Sequence, residues 1–218
     1  SFLATFSFTL HIKFKLNSSS EFDKYRHIVI DEVQDYGQFA FYVLKKMFKN
    51  ATFSIYGDLA QSLYSYRSIS DWKCLNDIFD NLEILKLNKS YRTTIEIMNE
   101  ANNINELLNL DKAEPVIRHG DSVEYLNKCN TNDIIDMVEK LKKQYNTIAI
   151  ITKSSLEAKK LYLALKDKIN LNLITSDNLN YNNDINILPS YLSKGIEFDG
   201  VILVDSEFDK NCTIDLKL

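Results

Sequence analysis

Proline and glycine are scarce in this chain, two and five in 218 residues. So few backbone breakers exclude a collagen-like or linker-rich protein, and no repeat or low-complexity tract stands out. Cysteine is scarce as well: Cys74, Cys129 and Cys212 lie far apart, with no CxxC pair. An odd, scattered set excludes a disulfide framework and fits a reducing compartment, so a cytoplasmic location is expected. There is no excess of basic charge. The formal net charge is -4, so any contact with nucleic acid must come from local groups and not from net attraction. Nor is there a long hydrophobic run. The one stretch that suggests export, FLATFSFTLHIKF near the start, has no basic residues ahead of it and no small-residue cleavage site behind it. It is also too short to span a bilayer and is expected to be a buried strand or a ragged end, so no membrane partner is expected. The histidines His11, His27 and His119 show no metal-ligand spacing.

What is present is ordinary globular material. The chain is 45% hydrophobic and 26% charged, enough for one large domain or two small ones. Short apolar, β-rich runs recur: IVI (28–30), TFSIY (52–56), LEILKL (82–87), TIAIIT (147–152), NLNLIT (170–175), INIL (185–188) and VILV (201–204). Helical spacing lies between several of them. Ala40, Val43, Leu44, Met47 and Phe48 form one apolar stripe; Ile95, Met98, Ala101, Ile104 and Leu108 form a second; Ala158, Leu161, Tyr162 and Leu165 form a third. Capping boxes, Thr93 with Glu96 and Ser154 with Glu157, announce two of these helices. Alternating strands and helices imply crossovers, hence an α/β fold whose mainly parallel sheet is covered on both faces. The polar stretch 109–122 reads as the longest loop.

Loops at the carboxyl ends of parallel strands converge on the functional crevice of such folds. IVIDEVQD (28–35) delivers Asp31 and Glu32 to that edge. There one carboxylate is suited to a phosphate-bound Mg²⁺ and the other to activating water; a solvated loop after a strand would read the same way. YGDLAQSLYSYRS (56–68) follows the next β-rich run. It carries Asp58 and Gln61 at the same edge, then Tyr64, Tyr66 and Arg67, an aromatic and basic cluster suited to stacking on bases and equally suited to filling a core. LNKSYRTT (87–94) places Tyr91 and Arg92 ahead of a helix. A guanidinium there is a forked, permanently charged donor for phosphate, and equally a partner for a surface ion pair. LSKGIEFDGVILVD (192–205) puts Lys194 and Gly195 before Glu197 and a further buried strand; backbone amides at the glycine can approach a phosphate, although a plain loop would look similar.

Taken in order, IVIDEVQD, GDLAQSLYSYR, LNKSYRTT and SKGIEFD closely resemble the helicase motifs of the superfamily 1 UvrD/Rep family. The short separation of the last two resembles the HelD (DNA helicase IV) branch most. The resemblance runs from about Ile28 to Asp205. It implies a P-loop NTPase fold of two RecA-like domains that hydrolyse ATP with Mg²⁺ in their shared cleft and move 3′ to 5′ along single-stranded DNA. On that resemblance Asp31 is the Mg²⁺ ligand, Glu32 the catalytic base, and Gln34 a link between nucleotide and DNA sites, with Tyr64 and Arg67 beside the DNA. Gln61 senses the γ-phosphate, Tyr66 stacks on a base, Tyr91 stacks on adenine, and Arg92 is an arginine finger. Gly195 and Glu197 lie near the nucleotide, with Glu197 at the ribose.

The departures carry expectations too. Tyr66 stands where many relatives of that family have Trp, a change that stacking survives. No stretch matches GxxxxGK[ST], the loop whose amides and lysine cradle phosphates, and the family's closing arginine motif is also missing. The chain alone is therefore expected to be an inactive piece of a longer enzyme, and residues 1–20 match no motif. Residues 1–88 are expected to continue the first RecA-like domain and 89–218 to form an incomplete second one, with no large accessory insertion between Arg92 and Lys194. Two alternatives stand beside the helicase reading: a HelD-like motor that remodels RNA polymerase, and a non-enzymatic module that binds nucleic acid or protein.

Overall fold

The computed structural model describes residues 20–62, 69, 71–108, 110–127, 129–180, 184–205 and 213–216. The chain divides into two compact units, Ser1–Leu87 and Asn88–Leu218. No helix among the described residues is long and apolar enough to cross a membrane.

In the first unit, β1 (His27–Ile30) and β2 (Thr52–Ile55) pair in parallel, with Ile30 opposite Ile55. Parallel neighbours require a crossover, and α1 (Gln38–Met47) supplies it. The expected stripe is there: Ala40, Val43 and Met47 are buried and Leu44 is half-buried. Phe41, which the stripe omitted, is fully buried and joins Ile30, Val33, Ile69, Leu75 and Phe79 in one core. Phe48 lies just past the helix, where its ring meets the edges of Phe22 and Tyr25 at 5.3 and 5.6 Å. The run 82–87 is not a strand. Leu85 and Leu87 are 79% and 91% exposed, because β-prone residues form a strand only where a neighbouring edge can pair with them.

In the second unit a two-residue strand, β3 (Lys89–Ser90), pairs in parallel with β4 (Glu114–Pro115), inside the stretch expected to be loop. The main sheet has six strands in the order β5, β10, β9, β6, β8, β7. These are β5 (Tyr125–Asn127), β6 (Ile148–Thr152), β7 (Asn172–Leu173), β8 (Ile185–Pro189), β9 (Gly200–Val204) and β10 (Thr213–Leu216). Strands β7, β8, β6 and β9 are parallel, and β10 is antiparallel to both its neighbours. The run NLNLIT thus contributes only two residues of strand. Every residue of β6 and β8 is buried, the continuous apolar signature of strands covered on both faces.

One face is closed by α3 (Thr131–Lys142) and α4 (Ser155–Leu165), which set Ile134, Met137, Val138, Leu141, Ala158, Leu161 and Leu165 against Ile148, Ile150, Ile185, Ile187 and Ile202. The other face gathers Ala149, Ile151, Leu188 and Val201 under Ile174 and Phe198. Burying a side chain of this size contributes about 1.5–3 kcal/mol relative to exposure. The Ser154–Glu157 capping box forms as expected. A second box, Asn130 with Asp133, starts α3, a helix the sequence reading missed.

The helix α2 (Ile95–Leu107) departs from expectation twice. Its cap is Thr94, one residue later than expected, and Glu96 turns away from the helix start to accept from His119 Nδ1 at 2.9 Å and from the Gly120 N–H at 2.8 Å. Its apolar stripe is not core, since Ile104 is 54% and Leu108 61% exposed. Polar contacts hold this helix instead: Asn102 accepts from the Ala113 N–H at 2.9 Å and donates to its carbonyl at 2.8 Å.

Candidate active site

The acidic motif leaves β1 at its carboxyl end. Asp31 is exposed, and its Oδ1 accepts from the Glu32 N–H at 2.8 Å. The chain then turns sharply through Glu32, whose φ of 54° lies in the left-handed region. An L-residue holds that conformation at a cost of about 1–2 kcal/mol, and such strain clusters at functional sites. The turn drops Val33 and Gln34 into the interior, 0% and 1% exposed, while Glu32 stays outside.

A buried amide must be satisfied, and Gln34 is satisfied at both ends. Its Nε2 donates to Glu32 Oε2 at 2.7 Å, and its Oε1 accepts from the Asp58 N–H at 3.2 Å. Asp58 follows Tyr56 and Gly57 at the end of β2. The backbone knits the two strand ends together as well, Tyr56 N–H to Ile30 carbonyl at 2.8 Å and Val33 N–H to Tyr56 carbonyl at 3.1 Å. Gly57 is required by this approach. A Cβ on it would stand 2.6 Å from Gln34 Oε1 and 2.7 Å from Val33 Cγ2. Asp58 then caps the short 3-10 helix Leu59–Gln61, accepting from the Ala60 N–H at 3.0 Å, and its second oxygen accepts from Gln61 Nε2 at 3.0 Å. Asp31, Glu32, Gln34 and Gln61 are thereby brought to one edge. Sequence reasoning placed Asp58 at this edge as well, but not its bonds to both glutamines or the close approach that requires Gly57. Tyr64, Tyr66 and Arg67 lie outside the described residues.

In the second unit, Tyr91 and Arg92 follow β3 and both are exposed. Arg92 donates to the carboxylate of Glu197, an ion pair with side chains 65% and 74% exposed. Glu197 lies on the crossover from β8 to β9, after the single turn α5 (Ser190–Ser193). Gly195 ends that turn with φ of 78°, a conformation that favours glycine. Asp199 closes the crossover by accepting from the Thr147 N–H and Oγ1 at 2.9 and 3.0 Å, which holds its carboxyl below the usual carboxylate range.

Among the described residues no three acidic, histidine or cysteine side chains gather as a metal cage. Nucleotide-bound Mg²⁺ does not need one, because it is held by one or two carboxylates with phosphates and water. Asp31, exposed at a strand end beside Glu32, fits that requirement.

The fold is mixed α/β with parallel strands, and its first unit places an acidic pair at one strand end bonded to a polar turn at the next, an arrangement consistent with a P-loop NTPase type of fold. Comparison with known proteins is more particular. Residues 17–78 match the family described as UvrD/REP helicase N-terminal domain. The chain is 28% identical over 191 residues to ATP-dependent DNA helicase Rep of Buchnera aphidicola subsp. Acyrthosiphon pisum, covering 81% of this chain and 30% of that relative. It is 31% identical over 93 residues to ATP-dependent DNA helicase srs2 of Schizosaccharomyces pombe, covering 41% and 10% respectively. The chain spans less than a third of either relative's length.

Proposed function

We propose that the chain is part of an ATP-dependent superfamily 1 helicase or translocase that couples ATP hydrolysis to 3′ to 5′ movement on single-stranded DNA. The observation that carries this reading is the joined edge of the first unit, where Glu32, Gln34, Asp58 and Gln61 form one hydrogen-bonded series next to Asp31. A solvated loop has no physical need for a buried amide that grips a strained glutamate.

In this reading Asp31 holds Mg²⁺, and Glu32 takes the proton of the attacking water. Bound Mg²⁺ would neutralise charge on the phosphates and orient them. Gln61 contacts the γ-phosphate and the water beside it. Tyr91 stacks on adenine, Arg92 serves as an arginine finger, Gly195 and Glu197 lie near the nucleotide with Glu197 at the ribose, and Gln34, Tyr64, Tyr66 and Arg67 connect to the DNA. The 218 residues contain no GxxxxGK[ST] loop, and in this reading that phosphate clamp belongs to a longer parent enzyme, without which the piece is inactive. The RecA-like identity of the two expected domains, 1–88 and 89–218, belongs to the same proposal.

The test is ATP turnover by the full-length enzyme with and without single-stranded DNA, together with unwinding of duplexes tailed at the 3′ or the 5′ end. DNA-stimulated hydrolysis and preference for the 3′ tail are expected. Turnover indifferent to DNA would remove the motor reading.

A further inference from the structure

Asp58 holds the two arms of the acidic edge together. Its N–H donates to Gln34, which donates to Glu32; its carboxylate caps Ala60 and accepts from Gln61. An ionised carboxylate can only accept hydrogen bonds. That chemistry decides how each glutamine amide must face. Gln34 has to turn its amino group to Glu32, which leaves its oxygen for the Asp58 N–H, and both bonds are made. Gln61 has to turn its amino group to Asp58, which directs its Oε1 the other way. Gln61 is exposed, so that oxygen is open to a donor arriving from solvent.

We propose that Asp58 is a positioning residue that sets the polarity of the Gln61 amide, so that Gln61 offers an acceptor oxygen to the water that Glu32 activates. This rests on the nucleotide-site reading above. One amino hydrogen of Gln61 is occupied by Asp58 and the other remains for a phosphate oxygen. The same side chain can therefore accept from the water and donate to the phosphate. Turned over, the amide would set oxygen against carboxylate at the Asp58 end and present a donor to the water, where an acceptor is needed. The two arms are separable by mutation, because Asp58 holds Gln34 through its backbone and Gln61 through its side chain.

The experiment compares Asp58→Asn and Asp58→Ser in the full-length enzyme, each alone and combined with Gln61→Ala. Asparagine keeps an oxygen for the Ala60 cap but puts an amino group where Gln61 now donates, so the pair is satisfied only when Gln61 is inverted. Serine keeps a capping oxygen and leaves the Gln61 amide free to turn. Asp58→Asn should lower kcat ~10-fold or more with KM for ATP held within about twofold, an effect of the size expected for misorienting a proton-transfer partner. Asp58→Ser should lower it less. Neither should add more than about twofold to Gln61→Ala, since residues that act as a unit are not additive. Thermal melting of each variant within ~2 °C of the parent separates positioning from unfolding. Normal kcat in Asp58→Asn, a larger loss in Asp58→Ser, or an undiminished loss in the Gln61→Ala background would each overturn the positioning role. Normal turnover in both Glu32→Gln and Gln61→Ala would overturn the nucleotide-site reading itself.

Discussion

Arg92 and Glu197, 105 positions apart in the chain, meet as an ion pair at the surface of the second unit. Both side chains are mostly exposed, and such pairs contribute about 0–1 kcal/mol because water screens them and two long side chains must be ordered. The pair is therefore weak enough for a phosphate to displace. Arg92→Ala in the full-length enzyme is expected to reduce kcat by ~10³-fold or more if it is the arginine finger, while chemical denaturation shows a stability change under about 1 kcal/mol. A large loss of stability would return Arg92 to a purely structural role.

Glu32→Gln should keep ATP binding and abolish turnover, because the amide preserves size and turn but cannot take a proton. Nucleotide affinity and steady-state hydrolysis, measured side by side, check this. Hydrolysis at the parent's rate would dismiss Glu32 as the base.

Gly57→Ala should destabilise the first unit by about 1–3 kcal/mol, the usual cost of forcing a methyl group into a filled site. The added carbon meets Val33 Cγ2 and the Val33 nitrogen as well as the movable Gln34 oxygen, so rotating one side chain cannot relieve it. Urea unfolding gives the magnitude.

Acid should loosen the loop that follows β4. The His119 side chain, and then the Gly120 N–H, hold the Glu96 carboxyl down to about 2, against a reference value of 4.5. A carboxyl lowered by folding stabilises fully above its unfolded value, and the contribution fades as pH falls through the folded one. The contribution is thus complete above 4.5 and lost on approach to 2. Hydrogen exchange at Gly120 should accelerate across that window. His119→Ala, which removes the largest cause, should raise the low-pH end of that window; an unmoved low-pH end would refute the assignment.

Single-strand affinity should fall by about 1–3 kcal/mol in Tyr66→Ala if that ring stacks on a base. Fluorescence anisotropy with an oligonucleotide reads it directly, and unchanged affinity would assign Tyr66 to packing.

Much of this could be read from residue order alone. IAII within TIAIIT announces a buried parallel strand because four successive positions are apolar, and Asp31 and Glu32 are conspicuous as charges that end the run IVI, although Val29 in that run is 63% exposed. Other features depend on distance. Asp58 looks like an ordinary turn aspartate until its amide and carboxylate are seen to serve two different glutamines. The α2 stripe has the same 3.6-residue period whether buried or exposed, so periodicity could not foretell that Ile104 faces water. Glu96 fits a capping pattern by sequence, yet a histidine 23 residues on competes for it more effectively. The run 82–87 has strand composition but no partner edge among the described residues, a property of neighbours and not of its own side chains.

The left-handed turn at Glu32 has one more implication, for engineering. Glycine at that position would relax the backbone, but it would also delete the acceptor that satisfies the buried Gln34 Nε2 and the group proposed to take the proton. The relieved turn and the stranded amide act in opposite directions, so heat resistance is a poor guide to the site at this codon, and any such campaign needs a turnover screen beside it.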